Sequence, residues 1–185
     1  MSNTSSNMLA LGTQAADFSL PNPSKNNEIQ TLESLKGKKG TLVIFMCNHC
    51  PFVLHIIDKL EELYEDYKSL GIEFIAINSN DVDNYPADSP EMMVEFADEK
   101  ELKFPYLYDE SQDVAKSYNA ACTPDFYFFD ENLKLIYRGQ MDDSRPGNQK
   151  EITGEDLIIA FENQLAGLPQ EDFQRPSLGC NIKWK

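Results

Sequence analysis

Residues 41–53 read TLVIFMCNHCPFV, and the change of character halfway along this stretch decides the fold. Leu42 to Met46 is an uninterrupted apolar run, too short for a helix of its own and of the length of a buried strand. From Pro51 onward the period changes. Phe52, Ile56, Leu60, Leu63, Tyr67 and Leu70 recur every three or four residues, with Val53, Ile57 and Tyr64 beside them. That is the stripe of an amphipathic helix packed on a sheet. Cys47-Asn48-His49-Cys50 therefore falls where a central strand hands over to a helix N-terminus, the place where an open α/β sheet puts its chemistry.

Outward from this junction the pattern stays α/β. Gly71 ends the helix and Ile72 to Ile77 reads as a second buried strand, so strand, helix and strand form a βαβ unit. The polar loop Asn78 to Pro90 lacks the central Gly and terminal Glu of a calcium-binding EF-hand loop. Ser89 and Pro90 start a helix running to about Glu101. Phe104 to Tyr108 is a short strand and Gln112 to Tyr118 another helix. Asp125 to Phe129 and Leu133 to Arg138 form a hairpin about Asp130-Glu131-Asn132. Thr153 is the expected N-cap of a last helix through Leu165. Upstream, Leu9 to Leu20 suggests a short strand or hairpin, Pro21 to Asn27 a turn, and Leu32 to Leu35 one helical turn closed by Gly37. The whole chain, 1–185, is expected to form a single domain, with a flexible N-terminus at 1–8 and an aperiodic tail at 169–185.

Composition narrows the function. A formal charge of −15 repels nucleic acid and anionic membranes, which argues against both as partners. No apolar stretch approaches the ~18–20 residues of a membrane span. The first fourteen residues carry no basic segment and only a short apolar patch, so no secretory signal is expected and the expected location is cytoplasmic. Four cysteines, Cys47, Cys50, Cys122 and Cys180, are too few and too scattered for a disulfide scaffold. In a reducing compartment the adjacent pair points to redox chemistry or metal binding.

A cysteine at a helix N-terminus faces unpaired backbone N–H groups and the positive end of the helix dipole, and both favour thiolate. A free thiol with a pKa near 8.5 is only about 3% ionised at pH 7. The dipole contributes under about one pKa unit, so a stronger shift needs a local donor or cation, for which His49 is the candidate. Proline is favoured at the first helical position. With Pro51 there, Cys50 becomes the N-cap and the expected attacking thiol, and Cys47 its resolving partner. Asn48-His49 must then form a turn that brings the two Cα atoms within disulfide range. Two inert buried thiols, or a metal site built on Cys47, Cys50, His49 and one distant cysteine, are the rival readings. Zinc would want four ligands, and the chain holds no second CxxC.

At this point the chain resembles the thioredoxin-like superfamily, in the redoxin branch that includes alkyl hydroperoxide reductase and thiol-specific antioxidant proteins. The motifs carrying the resemblance are DFSLPN, FMCNHCPFV, INSND with YPADSP, FPYLYDESQDVAKSYNAACTPDFYFFD, YRGQMDD with RPGN, and PSLGCNIKWK. It implies a three-layer fold, a central mixed β-sheet flanked by helices, with an N-terminal strand or hairpin extension and an irregular C-terminal tail. It also implies a cis Thr123-Pro124 bond facing the CxxC, with Thr123 and Pro124 contacting a bound substrate chain. The sequence departs from the family pattern in lacking a Trp before the CxxC and in placing Asn48 and His49 between the cysteines. Cys47 stands where a peroxiredoxin has Thr or Ser, and no Arg lies beside Thr123-Pro124. Arg138 and Arg145 are candidates to replace that Arg but read rather as surface or loop-stabilising charges, and His55 reads as a packed or solvent-facing residue. Cys122, a small buried hydrophobe by type, and Cys180, a possible second resolving thiol, complete the auxiliary candidates.

The expected function is thus a thiol–disulfide oxidoreductase without cofactor or metal. Its partners would be a disulfide-bearing protein or a small thiol or peroxide substrate, together with a thiol reductant. The alternatives are a thiol peroxidase, with Cys50 peroxidatic and Cys47 resolving, and a non-catalytic or metal-binding module.

Overall fold

The apolar run before the first cysteine becomes the middle strand of a mixed sheet, and helices and loops close over both its faces. The structure, a computed structural model, describes residues 3–185. In chain order its elements are Asn3–Ser5 (β1), Ser19–Asn22 (β2), Glu28–Thr31 (β3), Leu32–Leu35 (α1), Gly40–Phe45 (β4), Pro51–Tyr67 (α2) and Ile72–Asn78 (β5). There follow Pro90–Glu99 (α3), Tyr106–Tyr108 (β6), Asp113–Ser117 (α4), Cys122–Thr123 (β7), Asp125–Asp130 (β8), Leu135–Gly139 (β9), Glu155–Ala166 (α5) and Leu178–Asn181 (β10). The main sheet has the order β6-β5-β4-β8-β9, with β4, β5 and β6 parallel and β8 antiparallel to both β4 and β9. Helix α2 joins the parallel neighbours β4 and β5, as the sequence pattern requires.

Every residue of β4 is buried, because the strand is covered on both faces; such strands read as continuous rather than alternating apolar runs. Leu42 and Ile44 pack with Val53, Ile57 and Leu60 of α2 and with Phe161 of α5. Val43 and Phe45 face the opposite side, with Leu32, Tyr118, Tyr127 and Phe129. Burying side chains such as Ile57 and Leu60 contributes about 1.5–3 kcal/mol each. This packing fixes α2 against β4, and with it the segment that connects them.

The chain ends depart from expectation. The flexible N-terminus expected at 1–8 instead supplies β1; Met1 and Ser2 lie outside the described residues. The tail expected to be irregular supplies β10, which pairs antiparallel with β1 on one edge and with β7 on the other. The partners stand far apart in sequence, and short strands carry too little apolar alternation to show a period. Residues 9–17 form an irregular strap, with Gln14 bridging Lys134. The hairpin lies later, at β2 and β3, around a 3₁₀ turn at Pro23–Lys25. At the last helix the cap is Gly154 in left-handed geometry (φ 72°), not Thr153. The Asp142 carboxylate accepts from Thr153 N at 2.9 Å and Gly154 N at 2.7 Å, so a loop residue takes the capping task.

Candidate active site

Cys50 is the N-cap of α2 and Pro51 its first residue. The Cys50 backbone is extended (φ −72°, ψ 120°), and its carbonyl accepts Val53 N and Leu54 N at 3.0 Å each. The proline sets this start point, since its ring suits the first helical position and disfavours helical geometry in the residue before it. Cys47 lies in the loop just past β4. The Thr123-Pro124 bond is cis and lies against both sulfurs. As a thiol, Cys50 Sγ donates to the Thr123 carbonyl at 3.1 Å, and Cys47 Sγ lies 3.5 Å from Thr123 Oγ1. A third sulfur completes the group: Cys180 Sγ, on β10, is 2.9 Å from Cys50 Sγ. All three are buried, at 1% exposure for Cys47, 0% for Cys50 and 5% for Cys180.

The Asn48-His49 turn is clamped from the loop after β5 and from β6. Asn48 N donates to Asp88 Oδ1 at 2.9 Å, Asn48 Nδ2 to Ala87 O at 3.0 Å, and Tyr106 Oη to Asn48 Oδ1 at 2.9 Å. Asp88 is fully buried and is itself held by Asn80 Nδ2 at 2.8 Å. His49 Nδ1 lies 2.8 Å from Asp88 Oδ2, without an aligned hydrogen bond. The His49 ring lies parallel to Tyr85, with centroids 6.2 Å apart.

This arrangement divides the protons unequally. Cys50 is lowered to about 5, chiefly because the Cys47 thiol donates to its sulfur, with further donation from Cys180 and Thr123 and from Val53 N–H at the helix start. Burial opposes the shift but is outweighed. Cys47 moves well up for the reciprocal reasons: it keeps its proton while hydrogen-bonding Cys50, it is desolvated, and the Asp88 carboxylate stands nearby. Cys180 is pushed up to about 12 by burial and by its bond to Cys50. Of the three sulfurs, the one on the helix N-cap is thus the one favoured to ionise, with the other two held as thiols.

Of the residues singled out from the sequence, Cys47, Cys50, His49, Thr123, Pro124 and Cys180 converge here. Cys122 does not join them: its thiol points to the Pro124 carbonyl at 3.6 Å, and burial drives its pKa up. The β7 edge at Thr123, expected to face a substrate chain, is paired with the chain's own β10. Arg138 bonds Leu9 O and Gln174, while Arg145 holds the loop carbonyls of Asp142 and Ser144. His55 pairs with Ser144 Oγ at 2.8 Å. The residue that sequence reasoning missed is Asp88. It sits in a loop rich in acidic and amide residues, and only its complete burial marks it out. Cys47, His49 and Asp88 bring three potential ligand atoms within 4.8 Å of one another. That is one short of a structural zinc set, and the Asp88 oxygens already accept bonds from Asn48 and Asn80.

Comparison with known proteins agrees with this geometry. The family model described as Redoxin matches residues 10–157. A solved structure of an uncharacterized conserved protein from Geobacillus kaustophilus is 51% identical, with a TM-score of 0.97 over 100% of this chain and 97% of that one. A hypothetical protein from Sinorhizobium meliloti 1021 is 45% identical, with a TM-score of 0.95 over 98% of each chain. Among curated proteins, the thiol-disulfide oxidoreductase ResA of Halalkalibacterium halodurans is 30% identical over 126 residues, 68% of this chain. The match spans just under two thirds of that relative, 65% of its length. With the family model covering most of its length and a thioredoxin-like sheet carrying the CxxC at the first long helix, the chain belongs to the redoxin family.

Proposed function

We propose that the protein is a thiol–disulfide oxidoreductase in which Cys50 attacks and Cys47 resolves. The observation that carries this reading is the position of Cys50 at the N-cap of α2, against the cis Thr123-Pro124 bond, where its pKa is lowered to about 5. The Cys50 thiolate attacks one sulfur of a substrate disulfide, forming a mixed disulfide and expelling the other sulfur as a thiolate. Cys47 then loses its proton and attacks Cys50, releasing the second substrate thiol and leaving a Cys47–Cys50 disulfide. The substrate has gained two electrons, and an external dithiol returns the pair to the reduced state. In the first step the positive end of α2 holds the anion. In the second, the Asp88–His49 pair, whose ligand atoms lie within 4.8 Å of Cys47 Sγ, is the acceptor we assign to the Cys47 proton. The naming of the curated relative as a thiol-disulfide oxidoreductase supports the same class.

A peroxide substrate is the second reading, favoured by one observation: Cys50 is wholly buried, which suits a small reactant better than a folded disulfide partner. Against it, Arg138 and Arg145, the candidates to replace the missing peroxiredoxin arginine, are both hydrogen-bonded elsewhere. The test is reduction of insulin or oxidised glutathione by the purified chain with dithiothreitol, run beside hydrogen peroxide consumption. Disulfide turnover lost in Cys50→Ser is expected. Peroxide turnover without disulfide turnover would overturn the assignment.

A further inference from the structure

We propose that Cys180 is a third redox thiol, delivered by the C-terminal strand, so that Cys50 forms a disulfide with either Cys47 or Cys180. The proposal rests on Cys50 being the attacking sulfur and adds a second way of resolving its adduct.

The geometry is specific. The two sulfurs stand 2.9 Å apart, closer than van der Waals contact between sulfurs, and less than about 1 Å of further approach makes a bond. Strand β10 is held at both ends and on both edges. Cys180 lies opposite Thr123 on one side and Asn3 on the other. Ser177 Oγ donates to Gly139 O at 3.0 Å, Ile182 N to Ala121 O at 3.1 Å, and Lys183 N to Asn80 Oδ1 at 2.9 Å. Gly179 permits the approach: a Cβ there would lie 2.0 Å from the Thr123 carbonyl oxygen, the atom that also takes Cys50 Sγ. A cysteine serving only as a small apolar filler, like Cys122, has no need to meet another sulfur. Cys180 does meet one, and it is the sulfur at the helix N-cap.

The chemistry balances without a further reagent. In the mixed disulfide between Cys50 and a substrate thiol, the Cys180 sulfur attacks Cys50 Sγ. The Cys50–Cys180 bond forms, the Cys50–substrate bond breaks, and the Cys180 proton passes to the departing thiolate. Cys47 can then displace Cys180 from Cys50, moving the disulfide to the CxxC and returning Cys180 to a thiol. Both routes take the same two electrons from the protein.

The experiment uses full-length wild type, Cys47→Ser, Cys180→Ser, the Cys47→Ser/Cys180→Ser double variant and Cys50→Ser. Each is reduced, freed of reductant and mixed with dithiobis(nitrobenzoate), with coloured thiolate counted and intact mass read. The Cys47→Ser chain is expected to release two thiolates and keep no adduct, and its non-reduced peptide map to show Cys50 joined to Cys180. The double variant should release one and keep its adduct. A Cys47→Ser chain that folds as wild type by circular dichroism and keeps its adduct as the double variant does would overturn the third-thiol proposal. In that case Cys180→Ser, releasing two and keeping none, leaves the CxxC reading intact. Reaction persisting in Cys50→Ser would overturn both.

Discussion

Replacing Cys47 by alanine removes the donor that contributes most to holding Cys50 ionised. A hydrogen bond to a charged group is worth about 1.5–3 kcal/mol, which at 1.36 kcal/mol per unit moves the Cys50 midpoint up by roughly 1–2 pH units. Starting from a midpoint of about 5, Cys50 is about 99% thiolate at pH 7 and still about half thiolate after a two-unit rise. Its first attack at neutral pH should therefore slow by at most about twofold. At pH 5.5 the same shift lowers the thiolate fraction roughly 3- to 25-fold. The assay is iodoacetamide alkylation across the acidic and neutral range, with the labelled cysteine identified by peptide mass. Serine at position 47 keeps an O–H donor and should restore much of the low midpoint. A purely structural role for Cys47 would not separate alanine from serine in this way. The reasoning fails if the alanine variant titrates with the wild-type midpoint, or if the wild-type label lands on Cys47.

Three further outcomes are expected. In a Cys180→Ser background, Asp88→Asn should leave the first attack on a disulfide unchanged and slow resolution by about 10²-fold. That defect should shrink as pH rises and Cys47 ionises unaided, and stopped-flow resolution at the parent rate would refute the proton-acceptor role. Gly179→Ala forces β10 away from the Thr123 carbonyl, so it should cost about 1–3 kcal/mol and lower the yield of the Cys50–Cys180 disulfide; unchanged melting and unchanged cross-linking would refute that account. Asp125, fully buried beside Cys122, is raised by desolvation from the ordinary 3.8 to about 6. The folded state thus keeps a neutral carboxyl where the unfolded chain has ionised. Stability is fully present below pH 3.8 and is lost as pH rises through about 6, in all by about 3 kcal/mol. Asp125→Asn should flatten that fall in denaturant titrations between these pH values, and a variant curve parallel to wild type would refute the assignment.

The legible part of the site was the part written locally. Pro51 after Cys50 placed the helix start, and the apolar stripe from Phe52 to Leu70 placed the helix itself, because both signals act within a turn or two of chain. The resemblance supplied the cis Thr123-Pro124 bond and the three-layer sheet, and the structure has both. Asp88 was illegible for a different reason. Its loop is polar throughout, and nothing in the spacing separates a buried carboxylate from the exposed acids beside it.

Local order alone thus decides that a strand ends in two cysteines and that the second opens a helix, since propensity, capping and apolar period all operate over neighbouring residues. Which groups surround those cysteines depends on pairings between residues roughly 40 to 130 positions apart. The clamp of Asp88 on Asn48 and His49, the facing of Thr123 to both sulfurs, and the closure of β10 over Cys50 belong to that second kind. They follow from packed layers and strand register, which no short window of residues records.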